Sequence, residues 1–325
     1  MKFARRQFLR LAGAAIAAPA FSRLAVAQAY PARHVRWVVG FVPGGASDPV
    51  ARIMGQWLSE RLGQPFVIEN KPGAGSNIAA QSVIASPPDG YTLLMIPTAS
   101  AINATFYDNL RFNFLRDIAP VAALVRIPNV IVVNPALPVQ NLAEFIAYAK
   151  TNPGKINVGS AGTGTANHMA GELFKAMTGI NLVHVPYRGG AAAITDLLAG
   201  QVQVIFDLVP NSIEHIKSGS LRALAVTTAT RSEALPDVPV ASDTVPGYEA
   251  SAWFGLGAPR GTPVPIIEML NREVNAGLAN AKVRARLANA GTTPFVLSPA
   301  EFGAHIAAET EKWAKVVKFS GAKAN

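Results

Sequence analysis

Two turns concentrate the residues that could do chemistry. Pro43-Gly44-Gly45-Ala46-Ser47-Asp48 joins glycines, which let a ligand approach the backbone closely, to a hydroxyl and a carboxylate. Ser160-Ala161-Gly162-Thr163-Gly164-Thr165 sets three hydroxyls and two glycines directly ahead of a helix expected from His168. Each turn follows an apolar run and precedes an amphipathic segment, where a helix N-terminus presents free N–H groups and a positive dipole end. The chemistry is the holding of a small anion, most simply a carboxylate, by neutral donors. Either turn alone is explained equally well by glycines that only tighten a loop; a matched pair favours binding.

Single residues extend this pattern. Asp48 is expected to cap its own helix, with Pro49 in the first helical position, and to form a wall of the site rather than a charge partner. His168 opens the helix after the second turn and can donate to a ligand, or face solvent. Tyr187 and Asp207 end two expected strands at the edge facing a cleft. The ring of Tyr187 would cover an apolar ligand body, and Asp207 would fix waters or loop amides; the plainer readings are lobe surface and loop cap. His184, inside Val183-His184-Val185, reads as a satisfied core group.

Other chemistries fit poorly. Gly162-Thr163-Gly164-Thr165-Ala166-Asn167 lacks the last glycine of a dinucleotide fingerprint, and no P-loop lysine is present. Val158-Gly159-Ser160-Ala161-Gly162 puts valine where a nucleophile elbow needs glycine. His34, His168, His184, His215 and His305 show no metal-ligand spacing, and the absence of cysteine excludes disulfides and thiolate chemistry. No metal or cofactor is expected. One rival stays open: a secreted hydrolase with Ser160 or Ser47 as nucleophile and His168 as base, which requires a Ser–His contact and an orienting carboxylate.

Charge and length narrow the class further. The net charge is +9, but residues 1–27 hold five basic residues and no acid, leaving 24 basic against 20 acidic residues, or +4, on the rest. No basic run survives to track phosphates, so nucleic acid is set aside as a partner. Residues 1–27 read as a signal peptide: basic Lys2 to Arg10, apolar Leu11 to Phe21, and a small-x-small site at Ala25-Val26-Ala27. The apolar stretch is far shorter than the roughly 20 residues a bilayer span needs. Arg5-Arg6-Gln7-Phe8-Leu9-Arg10 resembles a twin-arginine signal, with an ordinary secretory n-region as the alternative. Both lead to the periplasm or beyond.

The elements that must position the turns alternate between strand and helix. Val35 to Val42 is a strand buried on both faces, followed by a helix ending at Leu62 with Gly63 just past it. The pattern recurs through strand Tyr91 to Ile96, a loop over Thr98 to Leu115, a β-branched run from Ile127 to Val133, and strands ending at Gly159, Pro186 and Asp207. The fold class is therefore α/β, with two mainly parallel sheets flanked by helices. Residues 28–132 and 253–325 are assigned to lobe 1 and 133–252 to lobe 2, with two crossings, because the last three helices need an existing sheet to pack on. Trp253 and Phe254, at the return crossing, read as packing.

Several ordered motifs carry a family resemblance. Val38-Val39-Gly40-Phe41-Val42-Pro43-Gly44-Gly45-Ala46-Ser47-Asp48, Glu69-Asn70-Lys71-Pro72-Gly73-Ala74-Gly75, Pro88-Asp89-Gly90-Tyr91, Val183-His184-Val185-Pro186-Tyr187-Arg188-Gly189 and Leu235-Pro236-Asp237-Val238-Pro239 resemble the Bug (TctC-like) substrate-binding proteins of tripartite tricarboxylate transporters. The resemblance implies a two-lobed, type II-like periplasmic binding protein, not an enzyme. It would close on a small carboxylate and serve the membrane components of such a transporter; a monomer is expected. It also implies ligand contacts at Phe41, Gly44, Gly45, Ala46, Ser47 and Asp48, at Thr98 and Ser100, and at Ser160, Gly162, Thr163, Gly164, Thr165 and His168. Asp207 is an addition to that set. The family's Pro-Pro-Gly-Gly appears here as Val42-Pro43-Gly44-Gly45, and its Ser-Gly-rich loop as Pro97-Thr98-Ala99-Ser100.

Overall fold

The structure, a computed structural model, describes residues 30–232 and 234–322. The expected leader, with its twin-arginine string and Ala27 cleavage site, lies outside them. The first unit runs β1 (Val35–Val39), α1 (Ser47–Leu62), β2 (Phe66–Asn70), α2 (Asn77–Ile84), β3 (Thr92–Pro97), α3 (Thr98–Phe106), the short α4 (Phe114–Asp117) and β4 (Ile118–Ile127). The second runs β5 (Asn129–Val133), α5 (Leu142–Thr151), β6 (Asn157–Ser160), α6 (Ala166–Thr178), β7 (Val183–Pro186), α7 (Gly190–Leu198), β8 (Val204–Leu208), α8 (Val209–Lys217) and β9 (Arg222–Val226). The chain then returns through β10 (Ala252–Pro259), α9 (Val264–Ala279), α10 (Ala281–Asn289), β11 (Thr293–Pro294) and α11 (Pro299–Ser320). Gly63 closes α1 at φ 71°, a left-handed C-cap whose N–H reaches the Ser59 carbonyl.

Two sheets result, β11-β4-β10-β3-β1-β2 and β7-β6-β8-β5-β9. Parallel pairs β1–β2, β1–β3, β6–β7 and β6–β8 form their outer parts. The strands that cross between sheets, β5 and β10, are inserted antiparallel. The reason is directional. Only Pro128 separates β4 from β5, so β5 starts at the edge where β8 ends, Asn129 opposite Leu208. Likewise β10 starts where β4 ends, Ala252 opposite Ile127. The carboxyl ends of β1, β3, β4, β6 and β8 therefore border one seam, the place where α/β sheets bind ligands. Residues 129–133 pair throughout with β8 and β9, so the strand that begins the second sheet starts ahead of position 133.

Three apolar clusters fill the layers. One lies between the first sheet, α1, α9 and α10, and another lies beneath α7 and α8. The third is shared by both sheets: Phe302, Ile306 and Trp313 of α11 join Ile102 and Phe106 of α3 and Phe174 of α6. This sharing corrects the loop expected over Thr98–Leu115. Its Thr, Ser and Asn content reads as irregular, yet Ala99, Ala101, Ile102 and Phe106 are all buried, and α3 is held helical by packing against α11. Trp253 and Phe254 are buried as packing residues, inside β10.

Candidate functional site

The first turn leaves β1 and enters α1 at Ser47, one residue earlier than the expected cap. Asp48 is thus inside the first turn of the helix rather than at its N-cap, and Ala46 occupies that position without a side-chain cap. The Asp48 carboxylate folds back over the loop. It accepts from the Gly44 N–H at 3.3 Å, from Arg52 at 2.9 and 3.1 Å, and from Asn70 Nδ2 at 3.2 Å. Asn70 Nδ2 also donates to the Phe41 carbonyl at 3.0 Å. Burial alone would raise the Asp48 pKa, but these donors overcome it and hold it below the ordinary carboxylate range. Its charge is spent on Arg52, so the turn is not closed to an anion. Among the described residues the N–H groups of Gly45, Ala46 and Ser47, and the Ser47 hydroxyl, have no protein partner.

The second turn is fastened by its own side chains. Ser160 Oγ accepts from the Gly162 N–H at 3.2 Å, Thr165 Oγ1 donates to the Gly162 carbonyl at 2.6 Å, and His168 Nδ1 accepts from the Gly164 N–H at 3.2 Å. Thr165 is the N-cap of α6, which starts two residues before the expected His168. The peptides of Ala161, Thr163 and Ala166 keep unpartnered N–H groups among the described residues, as does the Thr163 hydroxyl. His168 is buried, with Phe106 of α3 against its edge at 5.9 Å between ring centroids and His184 stacked on its face at 3.8 Å. Its Nδ1 is spent on the turn, so the neutral ring keeps its proton on Nε2, 3.7 Å from Glu172 Oε1.

The remaining expected residues divide. Ser100 lies in the first turn of α3 with a hydroxyl that has no protein partner among the described residues, whereas Thr98 is spent on β10, accepting from the Trp253 N–H at 2.7 Å and donating to its carbonyl at 3.1 Å. Tyr187 donates to Asp196 at 2.7 Å and packs its ring inside its own lobe, so it does not cover the turns. Asp207 is fully buried and accepts from Asn167 at 3.1 Å, Asn211 at 3.1 Å and Ser212 at 2.5 Å. It ties together the starts of α6 and α8 rather than reaching a ligand. Burial raises its pKa despite those donors.

The two turns meet. A Cβ built on Gly189 would lie 3.7 Å from Val42 Cγ2. Ala46 of the first turn and Ala166, the residue that follows the second, pack against the same apolar cluster. Gly164, at φ 76°, sits so close to the first lobe that a Cβ would fall 2.9 Å from Asn103 Oδ1 and 3.0 Å from Phe106. Gly164→Val should therefore prop the lobes apart, combining a disfavoured backbone conformation with a direct clash. The expected result is a larger radius of gyration in X-ray scattering than wild type; equal dimensions would refute the contact. Asn103, Phe106, Asn167 and His184 were not anticipated here, since only the fold brings them to the seam.

The histidine pair makes stability pH-dependent. Burial lowers His168 to a pKa of about 3, helped by His184 and Lys175, and lowers His184 to about 4, helped by Lys175. Both rings are neutral when folded, so the 3.7 Å approach of His168 Nε2 to Glu172 is not an ion pair at neutral pH. Below pH 6.5 the unfolded chain binds protons that the folded one refuses, and stability falls as pH drops towards 4, by up to about 1.4 kcal/mol per pH unit for each ring. His184→Gln, which keeps a partner for Ser160, should make urea-derived stability between pH 6 and 4.5 less steep by that amount. An unchanged slope would refute the assignment.

Ser160 does contact a histidine, but it is His184, at 2.7 Å, and Ser160 is fully buried. Among the described residues no carboxylate hydrogen-bonds the His184 ring, so the hydrolase reading lacks its orienting group. Two sheets joined by paired crossing strands, with unpartnered helix N-terminal peptides from both at the seam, define the class of two-lobed solute-binding receptors. The chain belongs to the tripartite tricarboxylate transporter receptor family, TctC, whose profile matches residues 50–321. It is 37% identical over 316 residues to Protein BugT of Bordetella pertussis (strain Tohama I), covering 96% of this chain and 95% of that protein. It is similar to the solved structure of R. palustris Rpa4515 with adipate, with a TM-score of 0.86, 39% identity, and coverage of 90% of this chain and 98% of that one. MatC (Rpa3494) from Rhodopseudomonas palustris with bound malate matches with a TM-score of 0.82, 32% identity, and coverage of 89% and 100%. The family membership bears out the resemblance and does not support a hydrolase. Among the described residues no helix is long and apolar enough to cross a membrane.

Proposed function

We propose that the protein is exported to the periplasm and works there as a monomeric, non-catalytic receptor. Residues 30–127 with 252–322 form one lobe and 129–232 with 234–251 the other, and they close on a small carboxylate for delivery to the membrane components of a tripartite tricarboxylate transporter. The unpartnered N–H groups of Gly45, Ala46 and Ser47 on one side, and of Ala161, Thr163 and Ala166 on the other, carry this reading. Helix N-termini favour negative charge, and peptide donors need no reorganisation to meet a carboxylate. The hydroxyls of Ser47, Ser100 and Thr163 supply the side-chain contacts. The adipate and malate held by the two R. palustris relatives support a dicarboxylate-sized ligand. Loaded and empty receptor differ in lobe closure, which is what a membrane partner can read.

Isothermal titration against mono-, di- and tricarboxylates tests the proposal. One-to-one binding of at least one acid, with contraction of the radius of gyration, is the expected outcome. A panel in which no carboxylate releases heat or raises the melting temperature would overturn it.

A further inference from the structure

A second recess lies behind the first-lobe wall of the seam. The turn joining β2 to α2 holds two non-glycine residues at positive φ, Ala74 at 47° and Ser76 at 79°, a conformation usually kept only where surrounding structure imposes it. Its outer side opens into a groove of ≈ 250 Å³ lined by none of the residues assigned to carboxylate capture. Asn77, Gln81, Tyr107, Asn109 and Arg111 supply its polar wall. Asn77 is only 8% exposed; its Oδ1 accepts from Asn103 at 3.1 Å, while its Nδ2 has no acceptor among the described residues. Among the described residues the side chains of Gln81, Asn109 and Arg111 and the Tyr107 hydroxyl make no hydrogen bond or ion pair within the protein. Burial raises the Tyr107 pKa, so that hydroxyl stays a donor at neutral pH. Ile78, Leu110 and Phe112 add apolar surface, and Asp108, exposed in the same segment, is not part of the wall.

One unpaired guanidinium among neutral donors, with an apolar flank and no acid in the wall, suits a single negative charge on a short hydrocarbon. We propose that this groove is an accessory binding site for a small aliphatic monocarboxylate, its carboxylate on Arg111 and its chain over Ile78, Leu110 and Phe112. It is separate from the interlobe site and stands whether or not the latter takes a carboxylate.

The test is a titration of the uniformly 15N-labelled protein with hexanoate, and with 1-hexanol as the uncharged counterpart, followed by NMR. Hexanoate should produce saturable shifts at the Gln81 and Asn109 side-chain amides and at Arg111 Nε, and 1-hexanol should bind far more weakly. Arg111→Gln should weaken hexanoate about tenfold, as expected for losing a charged hydrogen-bond partner. Arg111 is exposed, so the variant keeps the fold, and the backbone amides of Ala161 to Ala166 report any binding at the seam separately. Absence of saturation at Gln81, Asn109 and Arg111 would overturn the proposal, as would equal binding of acid and alcohol or an affinity unchanged by the substitution.

Discussion

Replacing Ala166 by proline is expected to weaken carboxylate binding about ten- to a hundredfold while leaving the melting temperature nearly unchanged. The substitution deletes one peptide N–H and little else. Ala166 is the first residue of α6, the helical position proline prefers, and Thr165 before it is at φ −81° and ψ 163°, the extended conformation a pre-proline residue adopts. The N–H removed has no protein acceptor among the described residues, so the unliganded fold loses no bond. A hydrogen bond to a charged group contributes about 1.5–3 kcal/mol, or roughly ten- to a hundredfold in affinity. Ala46→Pro is the counterpart in the other lobe, since Ala46 already lies at φ −55°. Isothermal titration of both variants, with melting curves, is the measurement. Wild-type affinity in both would mean that these peptides do not face the ligand.

Asp207→Ala should produce the largest loss of stability. The carboxylate is fully buried and receives Asn167 from α6, Asn211 and Ser212 from α8, and the Leu208 backbone N–H. Alanine removes the acceptor of the buried Ser212 hydroxyl and of the Leu208 N–H. It also removes one of the acceptors of Asn167, whose Nδ2 keeps the Phe206 carbonyl at 3.0 Å, while half-buried Asn211 can turn to water. Each buried donor left unpaired costs about 1–3 kcal/mol, and somewhat less in sum as neighbours relax. A loss on the order of 3–5 kcal/mol lowers the melting temperature by roughly 6–15 °C. A Cβ on Gly190, the first residue of α7, would lie 3.6 Å from Asp207 Oδ1, so three helix starts surround this one carboxylate. Carboxylate affinity should fall as well, because α6 presents the second turn. Calorimetry showing an unchanged melting temperature would refute the assignment of Asp207 as the hub of that lobe.

Much of the architecture was legible without coordinates. The β1, turn, α1 unit follows from a β-branched run, a glycine-rich stretch and helical spacing closed by Gly63, all of them local signals. The second turn was legible from its glycines and hydroxyls, but its end was not, since Thr165 caps α6 two residues ahead of the expected His168 start. What local signals leave open depends on distant partners. Thr98 to Phe106 is helical because α11, about 200 residues later, covers it. β10, with its glycines and prolines, became a strand because β3 and β4 flank it.

The amino-acid sequence by itself determined that two helix N-termini with exposed peptide donors would follow two buried strands, since capping, periodicity and glycine content act over a few residues. Only the tertiary structure decided which polar groups stay free. Asp48 is spent on Arg52 and Asn70, Thr98 on Trp253, Tyr187 on Asp196, and His168 on Gly164 beneath a stacked His184. A buried donor or acceptor must find a partner somewhere, and for most of these groups folding, not chain order, sets who that partner is.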